Sequence, residues 1–341
     1  MQLDWSDIEA RGKAGSSITL DEARAIVAIE TEDQLTELLA VTERVRWHHK
    51  QNVVYTCGIT NAKSGACPEK CNFCSQSAHF KTESPVFGMK DAQTIASEAR
   101  AAADAGVREF SIVTQGRAVT KRQDIDTLKE AFSLIREQTG LQTCASIGLV
   151  DKETLAELQA AGMDAVHHNL ETARSFHDQI VETHSYDDEV ETIKAGKELG
   201  MYVCAGGIFG MGESWEQRIE LATELRDLDV DSVPLNFLNA RPGTPLAGLD
   251  ELTPFDCLKI IALFRLVLPT KDLIVCGGRQ IQLQDRQREL FEAGANGIML
   301  GDYLTTTGGK TSVDLQMLED QGLVVRPPPH TPTAPVSVPA K

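Results

Sequence analysis

The feature of this chain that most restricts its fold is a repeated alternation, from residue 53 to residue 304, of short apolar or β-branched runs with longer amphipathic segments. This alternation is typical of repeated βα units, because strands linked as hairpins would follow one another after only a few residues. The pattern predicts eight strands, at residues 53–60, 107–114, 141–148, 165–171, 202–209, 231–239, 272–279 and 297–305.

The segments between these runs have charged faces and are predicted to be helices. Several of them end in a glycine of the kind that follows a helix, as at Gly106, Gly162, Gly200 and Gly294. Helices between the strands, and a last one near residues 311–320, predict an α/β fold of the (β/α)8 TIM-barrel type, with a doubly wound open sheet as the alternative. The predicted domains are an N-terminal helical extension at 1–50, the barrel at 51–322 and a disordered, proline-rich tail at 323–341.

Composition and charge exclude several classes of function. Hydrophobic residues make up 42% of the chain, enough for a large core, and the formal net charge of −17 opposes binding to phosphate backbones. The longest apolar runs fall far short of the roughly 20 residues that span a bilayer. The N-terminus lacks a basic region followed by an apolar stretch. We therefore expect a cytoplasmic protein without a nucleic-acid or membrane partner.

Three cysteines lie close together after the first predicted strand. Cys67, Cys71 and Cys74 are separated by three and by two residues, on a loop that a barrel would place at its C-terminal face, where barrel enzymes keep their active sites. Thiolates at these spacings can converge on an iron-sulfur cluster and leave one iron open to a bound molecule. The alternative is a zinc site with His79 as the fourth ligand, either structural or in a carrier without catalytic activity.

Four further cysteines fall within odd-numbered predicted strands. Inward-facing side chains of alternate barrel strands share one layer, so these thiols would face one another across the lumen. They are Cys57, Cys144, Cys204 and Cys276. The arrangement predicts a second metal cluster below the first. The alternative is that each is a small buried hydrophobic residue, which is our interpretation of Cys257 on a predicted helix.

The cysteine motif, the Ser75-Gln76-Ser77 that follows it and the downstream segments resemble the biotin synthase family of the radical S-adenosylmethionine superfamily, over residues 40–320. The resemblance implies sulfur insertion into dethiobiotin by a 5′-deoxyadenosyl radical made from S-adenosylmethionine at a 4Fe-4S cluster. An auxiliary iron-sulfur cluster, 2Fe-2S or a larger 4Fe type, would supply the sulfur. A reductant such as flavodoxin or ferredoxin and a homodimer are also implied. The alternative is another small-molecule radical enzyme, such as an amino-acid mutase or a cofactor maturase.

The resemblance also implies roles for individual residues other than the four cysteines on the barrel strands. Cys67, Cys71 and Cys74 would hold the 4Fe-4S cluster and are the catalytic cysteines. The others match positions that bind the cofactor or the substrate: Phe73 and Ile208 beside the adenine, Asn169 and Glu171 at the ribose and substrate, and Asn236 at dethiobiotin. The Gly-rich stretch around Ile208 is weak evidence by itself, because glycine also marks close strand packing.

The chain departs from the better-known family members at the auxiliary cluster. Ser111 stands at the position of one cysteine ligand and Ile274 at that of an arginine ligand. Cys276, two residues after Ile274, would point to the same face of a strand and replace the lost ligand. The implied ligand set is Cys144, Cys204 and Cys276, with Cys57 as a candidate fourth. This pattern resembles the second type of biotin synthase.

A further departure concerns positive charge near the clusters. His184 stands where the familiar enzymes carry an arginine near the methionine carboxylate of the cofactor, so its protonation would matter for binding. The alternative is a surface histidine without a role. Arg279, at the end of the seventh predicted strand, is the candidate for a fixed positive charge there.

Overall fold

The architecture is a closed barrel of parallel strands, seen in a computed structural model that describes residues 3–326. Its strands are β1 (Val53–Lys63), β2 (Glu109–Thr114), β3 (Gln142–Ser146), β4 (Ala165–His167), β5 (Tyr202–Cys204), β6 (Gly207–Phe209), β7 (Ser232–Phe237), β8 (Asp272–Val275), β9 (Gly297–Met299) and β10 (Val324–Val325). Strands β1 to β5 pair in chain order, β5 and β6 both pair with β7, and β8 and β9 follow in order. Strand β9 pairs with β1 and closes the ring. The predicted (β/α)8 fold is confirmed, and the open sheet is excluded.

Helices cover the outside of this barrel. They are α1 (Trp5–Lys13), α2 (Leu20–Val27), α3 (Glu32–Lys50), α4 (Ala92–Asp104), α5 (Arg122–Gln138), α6 (Lys152–Ala160), α7 (Arg174–Ile180), α8 (Tyr186–Glu198), α9 (Trp215–Asp227), α10 (Pro254–Val267), α11 (Arg279–Gln282), a 3-10 helix (Gln284–Leu290) and α12 (Thr311–Asp320). Side chains of α1, α2 and α3 belong to the same hydrophobic core as those of the barrel. No helix within residues 3–326 has both the length and the apolar character needed to cross a membrane.

The boundary of the predicted tail is wrong by a few residues. Val324 and Val325 form β10, which pairs in parallel with Val53 and Val54 at the start of β1. The amide of Arg326 donates to the carbonyl of Val54 at 3.0 Å. The prediction of disorder for the rest of the tail concerns residues 327–341, which lie outside the described part of the chain.

The strand predicted at 202–209 is divided into β5 and β6 by a short break at residues 205 and 206. A Cβ atom on Gly206 would overlap the carbonyl oxygen of Pro234, and one on Gly207 would lie 2.6 Å from the carbonyl oxygen of Glu171. These glycines therefore allow the backbones of three neighbouring strands to approach one another. The carbonyl oxygen of Glu171 accepts a hydrogen bond from the amide of Ile208 at 2.8 Å, which turns that residue toward the barrel mouth.

We expect Gly206→Ala to lower the free energy of unfolding by about 3 kcal/mol, because the added methyl group has no space beside Pro234. Gly88→Ala is the matched control, since a Cβ at Gly88 meets no atom within 4 Å and its effect should stay within about 0.5 kcal/mol. Urea unfolding of both variants measures the difference. Equal stability of the two variants would show that β5 and β6 can move apart without cost.

A buried polar network seals the N-terminal end of the barrel. Asp272, at the start of β8, accepts hydrogen bonds from Tyr202 Oη at 2.7 Å and Asn296 Nδ2 at 2.7 Å. Lys50 Nζ lies 2.6 Å from the same carboxylate. The fully buried guanidinium of Arg265 donates to Asn296 Oδ1 at 2.9 Å. The lumen is thus closed below by satisfied polar groups, and the chemistry is left to the opposite end.

Candidate active site

A cavity of about 320 Å³ occupies the C-terminal half of the barrel. Its walls come from the inner faces of the strands and from the loops that follow them. The lining includes Cys57, Cys74, Cys204 and Cys276, so thiols of both predicted clusters face one space. This is the end of the barrel at which the sequence pattern placed the site.

The cysteine loop folds back on itself through its own backbone. The amide of Cys67 donates to the carbonyl of Gln76 at 2.9 Å, and the amide of Cys74 donates to that of Cys71 at 2.9 Å. The buried side-chain oxygen of Gln76 accepts from Ser64 Oγ and from the amide of Gly65. The Ser77 hydroxyl donates to the carbonyl of Glu69 at 2.6 Å. The Ser-Gln-Ser segment therefore braces the loop that carries the three thiols.

The electrostatics of the three loop thiols favour a bound cation. Burial raises the pKa of Cys67, of Cys71 and of Cys74, the last to about 11. The thiols also disfavour one another's ionisation, as Cys74 and Cys67 do for Cys71. A thiolate is the form that binds metal, so a metal group at this position would offset the cost of three neighbouring negative charges.

The loop cysteines do not form the compact donor group that a single zinc ion requires. Tetrahedral zinc holds its sulfur ligands about 3.8 Å apart, given Zn–S bonds of about 2.3 Å. Among residues 3–326, the loop cysteines form no group of three donor atoms within 4.8 Å of one another. His79, the zinc ligand of the alternative hypothesis, places Nε2 3.0 Å from the carbonyl oxygen of Pro68. Both observations count against the zinc site with His79 as the fourth ligand.

The four barrel cysteines interact with one another inside the lumen. A hydrogen bond with Cys276, followed by burial, raises the pKa of the Cys57 thiol. Burial raises the pKa of Cys144 and Cys204, and repulsion from a Cys57 thiolate raises both further. Cys57 is thus an electrostatic neighbour of all three other thiols. Cys257 is buried in α10 and belongs to the hydrophobic core.

Ser111 and Ile274, the two positions at which the chain departs from the better-known family members, lie close to the barrel cysteines. Ile274 and Cys276 both line the cavity, as the period-2 argument required, although Cys276 follows the last residue of β8. Ser111 pairs with Cys144 in the strand register and is buried. Its hydroxyl lies beside the Cys144 thiol, where hydrogen bonding opposes the rise that burial causes in the pKa of Cys144.

Glu109 is a functional candidate that the sequence reasoning missed. It is buried at the start of β2, pairs with Cys57 in the strand register and lines the cavity. Burial, and then the carboxylates of Asp272 and Asp164, raise the pKa of Glu109 to about 7. The available signal was an acidic residue at the head of an otherwise apolar strand.

The end of β4 supplies polar groups to the cavity. Asn169 Oδ1 lies 3.1 Å from His167 Nε2 and accepts from the amide of Gly206 at 3.1 Å. Burial lowers the pKa of His167 to about 4, so this imidazole is neutral at pH 7. Burial, and then repulsion by Glu189, raise the pKa of Glu171 to about 8. Among the described residues Glu171 Oε2 has no partner, which leaves a buried oxygen available to a ligand hydroxyl.

The predicted adenine and substrate contacts line the same cavity. Phe73 and Ile208 pack in a small apolar cluster with Met211 and Leu238 beside Cys71. Asn236 donates from Nδ2 to the carbonyl of Gly207 at 3.2 Å and accepts at Oδ1 from the amide of Gly277 at 2.9 Å. Its amide therefore joins two strands and retains one further hydrogen and one lone pair for a ligand.

The structure does not bring His184 into the cavity. Its Nδ1 lies 2.7 Å from Glu69 Oε2, within the cysteine loop, and its Nε2 lies 2.7 Å from Glu189 Oε1 on α8. The second oxygen of Glu189 contacts His168 Nε2. Burial opposes charge on His184, but Glu189 and Glu69 hold its pKa above the ordinary value. His177, His184 and Glu189 offer donor atoms within 4.8 Å of one another, yet both His184 nitrogens are already engaged.

We expect Glu189→Gln to lower the free energy of unfolding by about 3 kcal/mol near pH 6, because it leaves His168 without a carboxylate and His184 with Glu69 alone. Burial alone would raise the pKa of Glu189, but His168 and His184 lower it to about 2. The stabilising effect should therefore fall as the pH drops from about 4.5 toward 2, as Glu189 is protonated, and also as the pH rises through the raised pKa of His184.

Urea unfolding over this pH range measures the effect, with Glu191→Gln on the same helix as the control. The Glu191 side chain is 72% exposed and should contribute less than about 0.5 kcal/mol. A stability difference between wild type and Glu189→Gln that does not vary with pH would contradict the assigned ion pairs.

The interpretation of Arg279 as a fixed charge near the clusters is wrong. Arg279 begins α11 and is fully buried. Its guanidinium donates to Asp314 Oδ2 at 2.7 Å and to Gln287 Oε1 at 2.7 Å, so it joins α11 to α12 and to the 3-10 helix. The charge of Asp314 neutralises it, and it does not line the cavity.

Comparison with known families gives two matches that together cover most of the barrel. Residues 62–225 match the radical SAM superfamily, and residues 234–324 match the biotin and thiamin synthesis associated domain. The first includes the cysteine loop, and the second includes Asn236 and Cys276.

Curated proteins similar to the chain include two biotin synthases. That of Geobacter sulfurreducens is 49% identical over 312 residues, which cover 92% of this chain and 94% of the relative. That of Anaeromyxobacter sp. (strain Fw109-5) is 47% identical, with 91% and 85% covered.

Solved structures show the same fold at low identity. Methylornithine synthase superposes with a TM-score of 0.82 at 20% identity, over 95% of this chain and 98% of that one. The FeFe-hydrogenase maturase from Carboxydothermus hydrogenoformans gives a TM-score of 0.77 at 16% identity, over 94% and 79%.

Proposed function

Because the chain belongs to the biotin synthase family of radical S-adenosylmethionine enzymes, we propose that it forms biotin from dethiobiotin with two iron-sulfur clusters held in one barrel. The observation that carries the assignment is that seven thiols fall into two groups, three on the loop at the mouth and four inside the lumen. Thiols from both groups line the same cavity. When bound, the loop cluster supplies the electron that cleaves S-adenosylmethionine, and the auxiliary cluster supplies the inserted sulfur.

Cys67, Cys71 and Cys74 are assigned as the ligands of the 4Fe-4S cluster. Their spacing, their mutual effects on pKa and the backbone bonds that fold the loop support this assignment. With these three residues as its ligands, such a cluster would have one iron open to the amino and carboxylate groups of the methionine moiety. Phe73 and Ile208 would pack on the adenine from the apolar cluster beside Cys71.

The polar groups at the end of β4 are assigned to the ribose and substrate. Asn169 is oriented by the amide of Gly206, and the unpartnered oxygen of Glu171 is available to a ribose hydroxyl. With its pKa raised, Glu171 is protonated at pH 7 and can both donate and accept. Asn236 is assigned to dethiobiotin through its remaining hydrogen and lone pair.

The auxiliary cluster is assigned to Cys144, Cys204 and Cys276, with Cys57 as the fourth ligand. Cys276 stands in for the arginine ligand whose position Ile274 occupies. The interaction of the Cys57 thiol with each of the other three supports its inclusion. His184 is assigned a role in holding Glu69 and hence the cysteine loop, since Glu69 lies between Cys67 and Cys71.

Three further features of the proposal rest on family membership alone. They are a flavodoxin- or ferredoxin-type reductant, a homodimer and a cytoplasmic location. The division into a helical extension and a barrel is also part of it.

The test is anaerobic purification and reconstitution, followed by assay of iron, sulfide and biotin with dethiobiotin, S-adenosylmethionine and dithionite. We expect between about six and about eight irons per chain, with biotin and 5′-deoxyadenosine as products. Zinc in place of iron, or only about four irons, would contradict the two-cluster assignment. A product other than biotin would favour a mutase or maturase activity.

A further inference from the structure

Arg241 is a positively charged side chain that lines the cavity and has no role in the proposed function. Arg241 lies in the loop after β7, four residues beyond Phe237, and lines the cavity with its side chain partly buried. It is the one lysine or arginine among the described residues that line this cavity. Asn236 lies within β7, whereas Arg241 lies in the loop beyond the C-terminal end of that strand, and therefore nearer the mouth of the barrel.

The guanidinium of Arg241 is free to bind a ligand. Within residues 3–326 it takes part in no hydrogen bond and no ion pair, in contrast to Arg117, Arg174 and Arg279, which all contact carboxylates. Because the chain has 50 acidic and 33 basic residues, most arginines can find a carboxylate partner. An arginine that lines a cavity without such a partner is therefore unusual.

The backbone of Arg241 is held in place although its side chain is free. The amide and hydroxyl of Thr244 both donate to the carbonyl of Arg241, at 3.2 and 2.8 Å. Gly243 has a φ of +88°, and a Cβ there would overlap the carbonyl oxygen of Lys81. The turn is thus packed against the segment that follows the cysteine loop, so it presents the arginine from a fixed position.

The other ionisable side chains of the cavity do not compete for this charge. Glu109 and Glu171 also line the cavity, and within residues 3–326 neither forms an ion pair or hydrogen bond with Arg241. Thr305 and Thr306 also line the cavity and add neutral hydroxyl groups, and Thr305 Oγ1 lies 3.1 Å from Ser75 Oγ. The arrangement of one guanidinium with neutral hydroxyls suits an anion with two oxygens.

Dethiobiotin carries its carboxylate at the end of an aliphatic chain, opposite the ureido ring and the carbons that receive sulfur. Under the proposed function, the carboxylate of S-adenosylmethionine would instead be held at the cluster on the cysteine loop. We infer that Arg241 binds the carboxylate of dethiobiotin and so selects substrates with an acidic chain end. This inference rests on the proposed function, because it takes dethiobiotin as the substrate.

The test compares dethiobiotin with its primary amide, in which a neutral group of the same shape replaces the carboxylate. Wild type, Arg241→Gln and Arg241→Lys are reconstituted anaerobically and assayed with both compounds at saturating S-adenosylmethionine. Binding of each compound is also measured by equilibrium dialysis without reductant. Arg288→Gln is the matched control, because that arginine is 58% exposed and lies outside the cavity.

In wild type we expect dethiobiotin to bind about tenfold more tightly than the amide, as a charge-assisted hydrogen bond would give. In Arg241→Gln, the KM and dissociation constant for dethiobiotin should rise about tenfold and the preference should disappear, with kcat and the KM for S-adenosylmethionine unchanged. Arg241→Lys should restore part of the preference, and Arg288→Gln should match wild type.

Three results would overturn the inference. Arg241→Gln could retain the preference for the carboxylate, or weaken binding of both compounds equally. A rise in the KM for S-adenosylmethionine with the preference retained would assign the guanidinium to the methionine carboxylate instead. Failure of the proposed function itself is a separate outcome, since no biotin would then form in any of the four proteins.

Discussion

Cys67→Ala is expected to lower formation of 5′-deoxyadenosine and of biotin by at least about 1,000-fold, because it would remove one of the three ligands that we propose for the 4Fe-4S cluster. The backbone around this residue is tied by the bonds of Cys67 to Gln76 and Ala78, so the loop should keep its fold when the thiol is lost. The reconstituted variant should contain up to about four fewer irons per chain than wild type.

Cys257→Ala provides the matched control for loss of a thiol. Cys257 is fully buried in α10 and lies in the hydrophobic core, so the variant should keep its iron and its activity and lose about 1 kcal/mol of stability. Iron analysis and product assays on both variants measure the difference. Biotin formation by Cys67→Ala near the wild-type rate would contradict the proposed radical mechanism.

Cys57→Ala is expected to distinguish the functions of the two proposed clusters. We expect biotin formation to fall about 100-fold or more, while formation of 5′-deoxyadenosine stays within about threefold of wild type, because only the inner ligand set is changed. Iron should fall toward about four per chain. The physical basis is the contact of the Cys57 thiol with Cys276 and its interaction with Cys144 and Cys204.

Cys144→Ala and Cys276→Ser should behave as Cys57→Ala does if the four thiols form one ligand set. A Cys57→Ala variant with full iron content and full biotin formation would remove Cys57 from that set and leave three ligands. Retained activity in Cys276→Ser would instead remove the residue that we assign in place of the arginine ligand.

Much of the fold followed from local pattern, because the period of apolar residues reflects which face of a strand or helix is buried. Where the prediction failed, the cause was contact between distant segments. The break between β5 and β6 depends on the carbonyl of Pro234, and the pairing of Val324 depends on Val53. Gly206 and Gly207 indicate a close approach of backbones but not the segments that approach, and the residues near Val324 do not indicate its partner strand.

The site divides in the same way. The three loop cysteines could be identified from spacing, because their chemistry is contained in eight consecutive residues. His184 and Arg279 could not be interpreted correctly, because their partners Glu69 and Asp314 lie 115 and 35 residues away. Arg241 gave no signal in the sequence, since the absence of a partner is visible only when all neighbouring side chains are in place.

By itself, then, the sequence determined a barrel with three closely spaced cysteines on a loop at its C-terminal face and further thiols on alternate strands, since strand period and residue spacing are properties of short segments. The tertiary structure decided which thiols share the lumen, which charged residues neutralise one another and which one faces the cavity without a partner. Those features arise from side chains that are far apart in the chain, and only closure of the barrel brings them within a few ångströms.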